Sequence, residues 1–224
     1  MKVTRYGFDC CVGAFSEMST RDARAILPAH LQPVEAHHER SVMSVLAFRF
    51  TESVVGAYDE LVMAIITPPQ VEIGKPLPKA AFFPFMVATS TRAAREHAIE
   101  RWCLPHIMRD MDFEWDESDD AMTVKVSSGG QLAVELRVTA HEFHPTVNPY
   151  HCFTVGESVG EDGRFKVNIF MDAPHSAHEE EAGELVFYPH EMTSMITLED
   201  VASYPFREEW YRAGVQTFEE LERI

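Results

Sequence analysis

The chain has 224 residues, 46% of them hydrophobic, enough to fill the core of one large domain. Its formal net charge of -17 argues against nucleic acid or an anionic membrane as a partner, since phosphate contacts need clustered lysine and arginine. No apolar run reaches the roughly 18 residues of a membrane-spanning helix. Residues 1–15 lack the basic-then-apolar pattern of a secretory signal, so a cytoplasmic protein is expected. The acidic excess gathers in residues 112–120 and 179–184, which read as solvated loops or, alternatively, as an acidic partner surface. Cys10, Cys11, Cys103 and Cys152 contain no CxxC pair, so buried thiols are expected rather than a disulfide framework or a zinc ribbon.

In chain order, residues 19–27 read as a short capped helix stopped by Pro28. Residues 41–51, rich in Val, Leu and Phe, read as a strand, and residues 60–66 as another, stopped by Pro68-Pro69. Residues 70–78 read as a loop and 82–88 as a strand. Thr89-Ser90-Thr91 opens a helix over 92–102 that ends before Pro105. Further strands are expected at 112–115, 122–127, 132–141, 153–155, 165–172 and 185–188, with Ser128-Gly129-Gly130 as a hairpin turn. The end of the chain reads as helix at 198–203, 207–213 and 218–221. Many short strands with few helices predict a β-rich α+β fold, a barrel with peripheral helices, in a single domain over 1–224. Such a barrel can hold one small ligand among its inward residues.

Several motifs resemble the acetoacetate decarboxylase-like family. Leu27-Pro28-Ala-His-Leu-Gln-Pro33 is similar to its Leu-Pro…Leu-x-Pro segment. Gly56-Ala-Tyr58-Asp-Glu60 resembles its Gly-x-Tyr-x-Glu strand, and residues 82–90 its strand before the helix. Glu100-Arg-Trp102-Cys-Leu104-Pro105-His106 resembles its Glu-x-Trp-Gly-Leu-Pro-Lys signature. The likeness spans about residues 26–143. It implies an antiparallel barrel of that family, no cofactor, a small-molecule substrate and a homo-oligomer. In the family the lysine after the proline forms a Schiff base with a β-keto acid, tuned by a cationic neighbour. Here His106 stands at that position and Ile107 at the neighbour's. A second acidic residue of the family falls near Val45. Imidazole forms no stable iminium with a ketone, so the resemblance carries the fold and the pocket but not that reaction. Of the five lysines, Lys2, Lys75, Lys79, Lys125 and Lys166, only Lys125 and Lys166 lie in expected strands, where either an inward or an exposed side chain is open. Lys79 follows Pro78 as in the motif but lies in a loop.

His106 and Glu60 are therefore the candidate catalytic pair. An imidazole reaches both protonation states near neutral pH, and a glutamate could orient it. The alternative is an inactive site in which His106 fills space. Glu60, on an otherwise apolar strand, needs a partner or a function. Tyr58, Trp102 and Phe85 are candidate pocket walls, and Arg101 a candidate carboxylate fork, or with Arg109 a surface ion pair. Cys103 is a nucleophile only with a base beside it. His141, His144 and His151 invite a metal, but their spacing matches no zinc motif, so none is assigned. His37-His38 and His175…His178 read as surface. The function expected is acid–base chemistry on a keto-acid- or polyketide-like compound, a lyase-like enzyme without a Schiff base. The alternative is a non-catalytic ligand-binding protein on the same barrel.

Overall fold

A computed structural model describes residues 3–158 and 160–224. The elements run β1 (Thr4–Ser19), α1 (Thr20–Ile26), β2 (Glu35–His37), β3 (Arg40–Glu52), β4 (Tyr58–Thr67), β5 (Ala80–Thr89), α2 (Arg92–Trp102) and β6 (Asp112–Glu117). They continue β7 (Ala121–Ser128), β8 (Gln131–Thr139), β9 (His144–Ser158), β10 (Glu161–His178), β11 (Glu184–Phe187), β12 (Arg207–Phe218) and β13 (Glu222–Arg223). Two 3-10 turns, Glu191–Thr193 and Leu198–Asp200, lie between β11 and β12.

Seven strands follow the order β1-β12-β10-β9-β5-β4-β3, and β3 pairs back with β1, which closes a barrel. All of its pairings are antiparallel except β5 with β9, which leaves one parallel seam in the expected antiparallel barrel. A second sheet, β11-β8-β7-β6, packs on the outside.

The barrel strands are covered on both faces, which explains their continuous apolar runs. On β4, Tyr58, Val62, Ala64 and Ile66 join the interior core. Leu61, Met63 and Ile65 join an outer core with Val124, Val126 and Leu136 of the second sheet. A Cβ on Gly13 of β1 would come within 2.5 Å of the Leu46 side chain, so glycine lets Leu46 lie across the barrel wall. The β7–β8 turn needs glycine twice, with φ of 57° at Gly129 and 77° at Gly130.

Helix α2 has the expected bounds. Its cap is Thr91, whose side chain accepts the Ala94 N–H, and it ends on Cys103 in the left-handed region. Ala94 and Trp102 pack it into the interior core. Two expectations are corrected at the C-terminus. Residues 207–213 are strand, not helix, and 218–221 hold only the end of β12 and its exit. The Arg-Glu-Glu-Trp-Tyr-Arg-Ala composition favours a helix, but pairing on both sides, with β1 and β10, overrides that weak preference. The helix expected at 198–203 shrinks to the Leu198–Asp200 turn, and β1 forms where no element is read from the sequence. Among the described residues no helix is long and apolar enough to cross a membrane.

Candidate functional site

The barrel encloses a narrow apolar cavity of about 70 Å³, lined from all seven strands. Cys11, Leu46, Phe48, Val62, Phe82, Cys152, Ile169, Met171 and Phe218 form its walls. Its polar groups are few: Glu60, Tyr150, Glu209, Tyr211 and Gln216.

Strand alternation on β4 places Glu60 with the inward Tyr58 and Val62, opposite Phe48 on β3. Its carboxyl makes no hydrogen bond or ion pair among the described residues. Burial pushes its pKa up to about 8, so it holds its proton at neutral pH.

A second carboxyl arrives from β12. Glu209 Oε1 accepts from Arg207 Nε at 2.9 Å and is ion-paired with Nη2 at 2.9 Å. The Tyr150 and Tyr211 hydroxyls lie 2.5 Å apart, and 3.4 and 3.5 Å from Glu209 Oε2. Asn148 donates to the Tyr211 hydroxyl at 2.7 Å and faces His175 Nδ1 at 3.3 Å. That contact leaves the His175 proton on Nε2, which points at Glu209 from 3.8 Å, beyond hydrogen-bonding distance. The His175 ring stacks on Tyr211 with centroids 4.1 Å apart. Burial opposes ionisation of Glu209, but His175 and Arg207 outweigh it and hold the carboxyl below its usual range. Burial keeps both phenols protonated, and the nearby Glu209 charge adds to it. The cavity thiols are unreactive for the same reason: burial pushes Cys152 up to about 12 and Cys11 well above its usual value. Tyr150 and Glu209 also line an outer cleft with Phe15, Ile66, Lys79 and Arg207, so they form the partition between the interior and the surface.

Of the residues singled out in the sequence, Glu60 lines the cavity and Tyr58 lies in the same interior core, its ring 4.8 Å from Phe50. His106 is elsewhere. Residues 105–107 run beside β5, with the Val87 N–H donating to Pro105 and the Ile107 N–H to Val87. Among the described residues neither His106 nitrogen has a hydrogen-bond partner, and no hydrogen bond joins it to Glu60. Burial, then the Arg95 charge, lower its pKa to about 4. Trp102 Nε1 donates to the Tyr6 hydroxyl at 2.7 Å, and Arg101 lies over the Trp102 ring at 4.6 Å. Neither lines the cavity. Phe85 belongs to the outer core. Cys103 donates its thiol to the Glu157 carbonyl, and Arg109 pairs with Glu191.

Among the described residues no lysine lines the cavity. Lys166 is buried on the outside of the barrel against Glu72 and Glu222, Lys125 pairs with Glu135 on the second sheet, and Lys79 reaches only the outer cleft. His141, His144 and His151 do not converge: His144 sits by Glu142 and His151 by Glu72. His175, read as surface, is 7% exposed. The network of Asn148, Tyr150, His175, Glu209 and Tyr211 was not found from the sequence. A buried Glu-x-Tyr on a strand would have been the signal, and the helical reading of residues 207–213 concealed it.

No protein-family model and no curated protein matches the chain. Solved structures do. Acetoacetate decarboxylase from Legionella pneumophila superposes with a TM-score of 0.65 at 13% identity, over 98% of this chain and 86% of its own. An acetoacetate decarboxylase-like enzyme from Sphingomonas wittichii RW1 gives 0.65 at 10% identity, over 99% and 92%. The chain has the acetoacetate decarboxylase-like fold. The enduracididine biosynthesis enzyme MppR, solved with pyruvate, shares this fold with a TM-score of 0.65 at 11% identity, over 99% and 89%. The expectation of a β-rich α+β barrel of this type, with peripheral helices, therefore holds.

Proposed function

We propose that the chain is a small-molecule enzyme that enolises a keto-acid- or polyketide-like substrate by acid–base chemistry, without a Schiff base. The observation that carries this reading is an apolar cavity lined by a protonated glutamate, Glu60, and an ionised one, Glu209, and by no lysine among the described residues. Environments that push two carboxyls apart in pKa supply an acid and a base at one pH. In this reading Glu60 donates its proton to the substrate carbonyl oxygen and Glu209 removes a proton from the adjacent carbon. The Tyr150 and Tyr211 hydroxyls line the same cavity and donate hydrogen bonds to that oxygen as negative charge develops on it, before the Glu60 proton has fully transferred. Loss of carbon dioxide, dehydration or an aldol step can each follow from the enol. His106, at the position where the family signature carries its lysine, does not line the cavity, so this reading gives it no step. Pyruvate bound to MppR supports a small 2-oxo acid as the first compound to try. A non-catalytic ligand-binding barrel is the second reading, favoured by the missing contact between His106 and Glu60.

The test is deuterium incorporation into pyruvate and acetoacetate followed by NMR, beside borohydride reduction and mass spectrometry. Exchange above the buffer rate without a covalent adduct is expected. A reduced adduct on a lysine, with Lys79 of the outer cleft the first to inspect, would overturn the absence of a Schiff base. Binding without exchange would establish the second reading.

A further inference from the structure

Two histidines and a glutamate meet outside the barrel, in a place the cavity chemistry does not use. His141 lies between β8 and β9, His178 ends β10, and Glu180 follows it toward β11. One donor atom from each lies within 4.8 Å of the others. His141 Nε2 is 3.3 Å from Glu180 Oε2. Two ligands on one tetrahedral zinc ion, each roughly 2.1 Å from it, stand about 3.4 Å apart. The two imidazoles are already in contact, edge to face, with centroids 4.5 Å apart.

His178 is set up as a ligand by what lies behind it. Its Nε2 is 2.9 Å from Thr139 Oγ1, 3.1 Å from the Thr139 carbonyl and 3.8 Å from the Glu208 carboxylate. A carbonyl only accepts, so Nε2 carries the proton and Nδ1 keeps the lone pair. Glu208 is itself fixed, accepting the Thr139 and Gly183 N–H groups at 2.6 Å each and the Thr139 hydroxyl at 2.9 Å. A hydrogen-bonded carboxylate and carbonyl behind an imidazole fix the orientation and raise the basicity of a metal-binding histidine. Among the described residues the lone pair on Nδ1 is engaged only by the Glu180 N–H at 3.4 Å, a contact too long to compete with a metal bond. His141 and Glu180 are exposed, which leaves further coordination positions open to water.

We propose that His141, His178 and Glu180 form a surface site for a divalent transition-metal ion of the zinc class, held by two imidazoles and one carboxylate. The ion ties the turn after β10 to the β8–β9 connection. That turn also carries Glu179, which pairs with Arg207 at 3.1 Å, and Arg207 holds Glu209 in the cavity wall. The site thus stands two ion pairs away from the barrel interior, and it holds whether or not the cavity is catalytic.

Calorimetric titration of the full chain with zinc chloride in a non-chelating buffer is expected to show one saturable site, with a thermal midpoint that rises with zinc by mass action. His141→Ala and Glu180→Gln alter exposed side chains and keep the fold, as circular dichroism will check. Each is expected to weaken zinc about tenfold or more by removing a direct ligand. Cobalt(II) should give visible d–d bands in the native chain that His141→Ala abolishes. No saturable binding by the native chain, or an isotherm that neither substitution changes, would overturn the site.

Discussion

Glu60 and Glu209 line the same cavity and are buried alike, 8% and 5% exposed, yet they are held in opposite states of charge. Burial alone acts on Glu60 and keeps it protonated. Glu209 feels the same burial but has Arg207, His175 and two phenols around it, and it ionises. Depth therefore does not decide the charge of a carboxyl in this barrel; partners do. One wall of the cavity is a polar network built around an ion pair, while the other offers an acid that makes no hydrogen bond or ion pair among the described residues.

The largest expected effect comes from breaking the unpaired side. Under the proposed chemistry Glu60→Gln keeps the shape and removes the titratable proton, and activity should fall about 10²- to 10⁴-fold, as for loss of a general acid. Stability should move the other way. The unfolded chain releases this proton near pH 4.5 and the folded one near pH 8. The folded state therefore binds more protons across that window and loses stability as pH rises through it, by about 1.4 kcal/mol per pH unit. Urea unfolding at several pH values should show this slope in the native chain and its loss in Glu60→Gln. An unchanged slope would place the raised pKa elsewhere.

The paired side should respond as a structural charge. Glu209→Ala takes its buried partner from Arg207, which keeps the exposed Glu179, and leaves the two phenols bonded to each other, so the loss is expected at the low end for breaking a buried pair, about 3 kcal/mol at neutral pH. If the midpoint in urea barely moves, the network does not hold β12 in place and the contrast between the two walls fails.

How far the sequence reveals this contrast depends on how local each cause is. Helix α2 was legible because its cap, its span and its stop all lie within residues 91–105. The Gly129-Gly130 turn was legible because left-handed backbone at two successive positions needs glycine. Glu60 was legible because a charge inside an apolar strand has to be accounted for. The opposite wall was not, because Asn148, Tyr150, His175, Glu209 and Tyr211 come from β9, β10 and β12 and meet only through pairings up to 63 residues apart. Nothing in 207–213 itself marks it as a strand with one glutamate facing in and the next facing out. Val45, where the position of the family's second acid falls, packs in the outer core, and the second carboxyl of this cavity, Glu209, comes from β12.

His106 refines the contrast, since it is another ionisable group whose buried polar atoms have no hydrogen-bond partner among the described residues. Its pKa near 4, against 6.5 in the unfolded chain, means that the unfolded state binds more protons between those values. Stability should then fall as pH drops from 6.5 toward 4, by a total of roughly 3 kcal/mol. His106→Leu removes the titration and should flatten that acid limb while changing little at pH 7 and above. Glu60 and His106 thus erode stability from opposite ends of the pH scale, and the doubly substituted chain should have the flattest profile. A steep acid limb in His106→Leu would assign it to other groups.

The smallest expected effect tests whether the paired wall acts through its hydroxyls or through its charge. Tyr211→Phe keeps the ring that stacks on His175 and removes the oxygen that sits between Asn148, Tyr150 and Glu209. Asn148 retains His175 Nδ1 as a second acceptor, and Tyr150 can turn its proton fully to Glu209, so most of the network re-pairs. A loss of about 1 to 2 kcal/mol is expected, the cost of one buried hydrogen bond left partly unmade. A double-mutant cycle with Tyr150→Phe measures the coupling of the two hydroxyls directly. Coupling near zero would mean that Glu209 is held by Arg207 and His175 alone. The 2.5 Å approach of the two phenols would then be a consequence of packing rather than a part of the cavity's acid–base machinery.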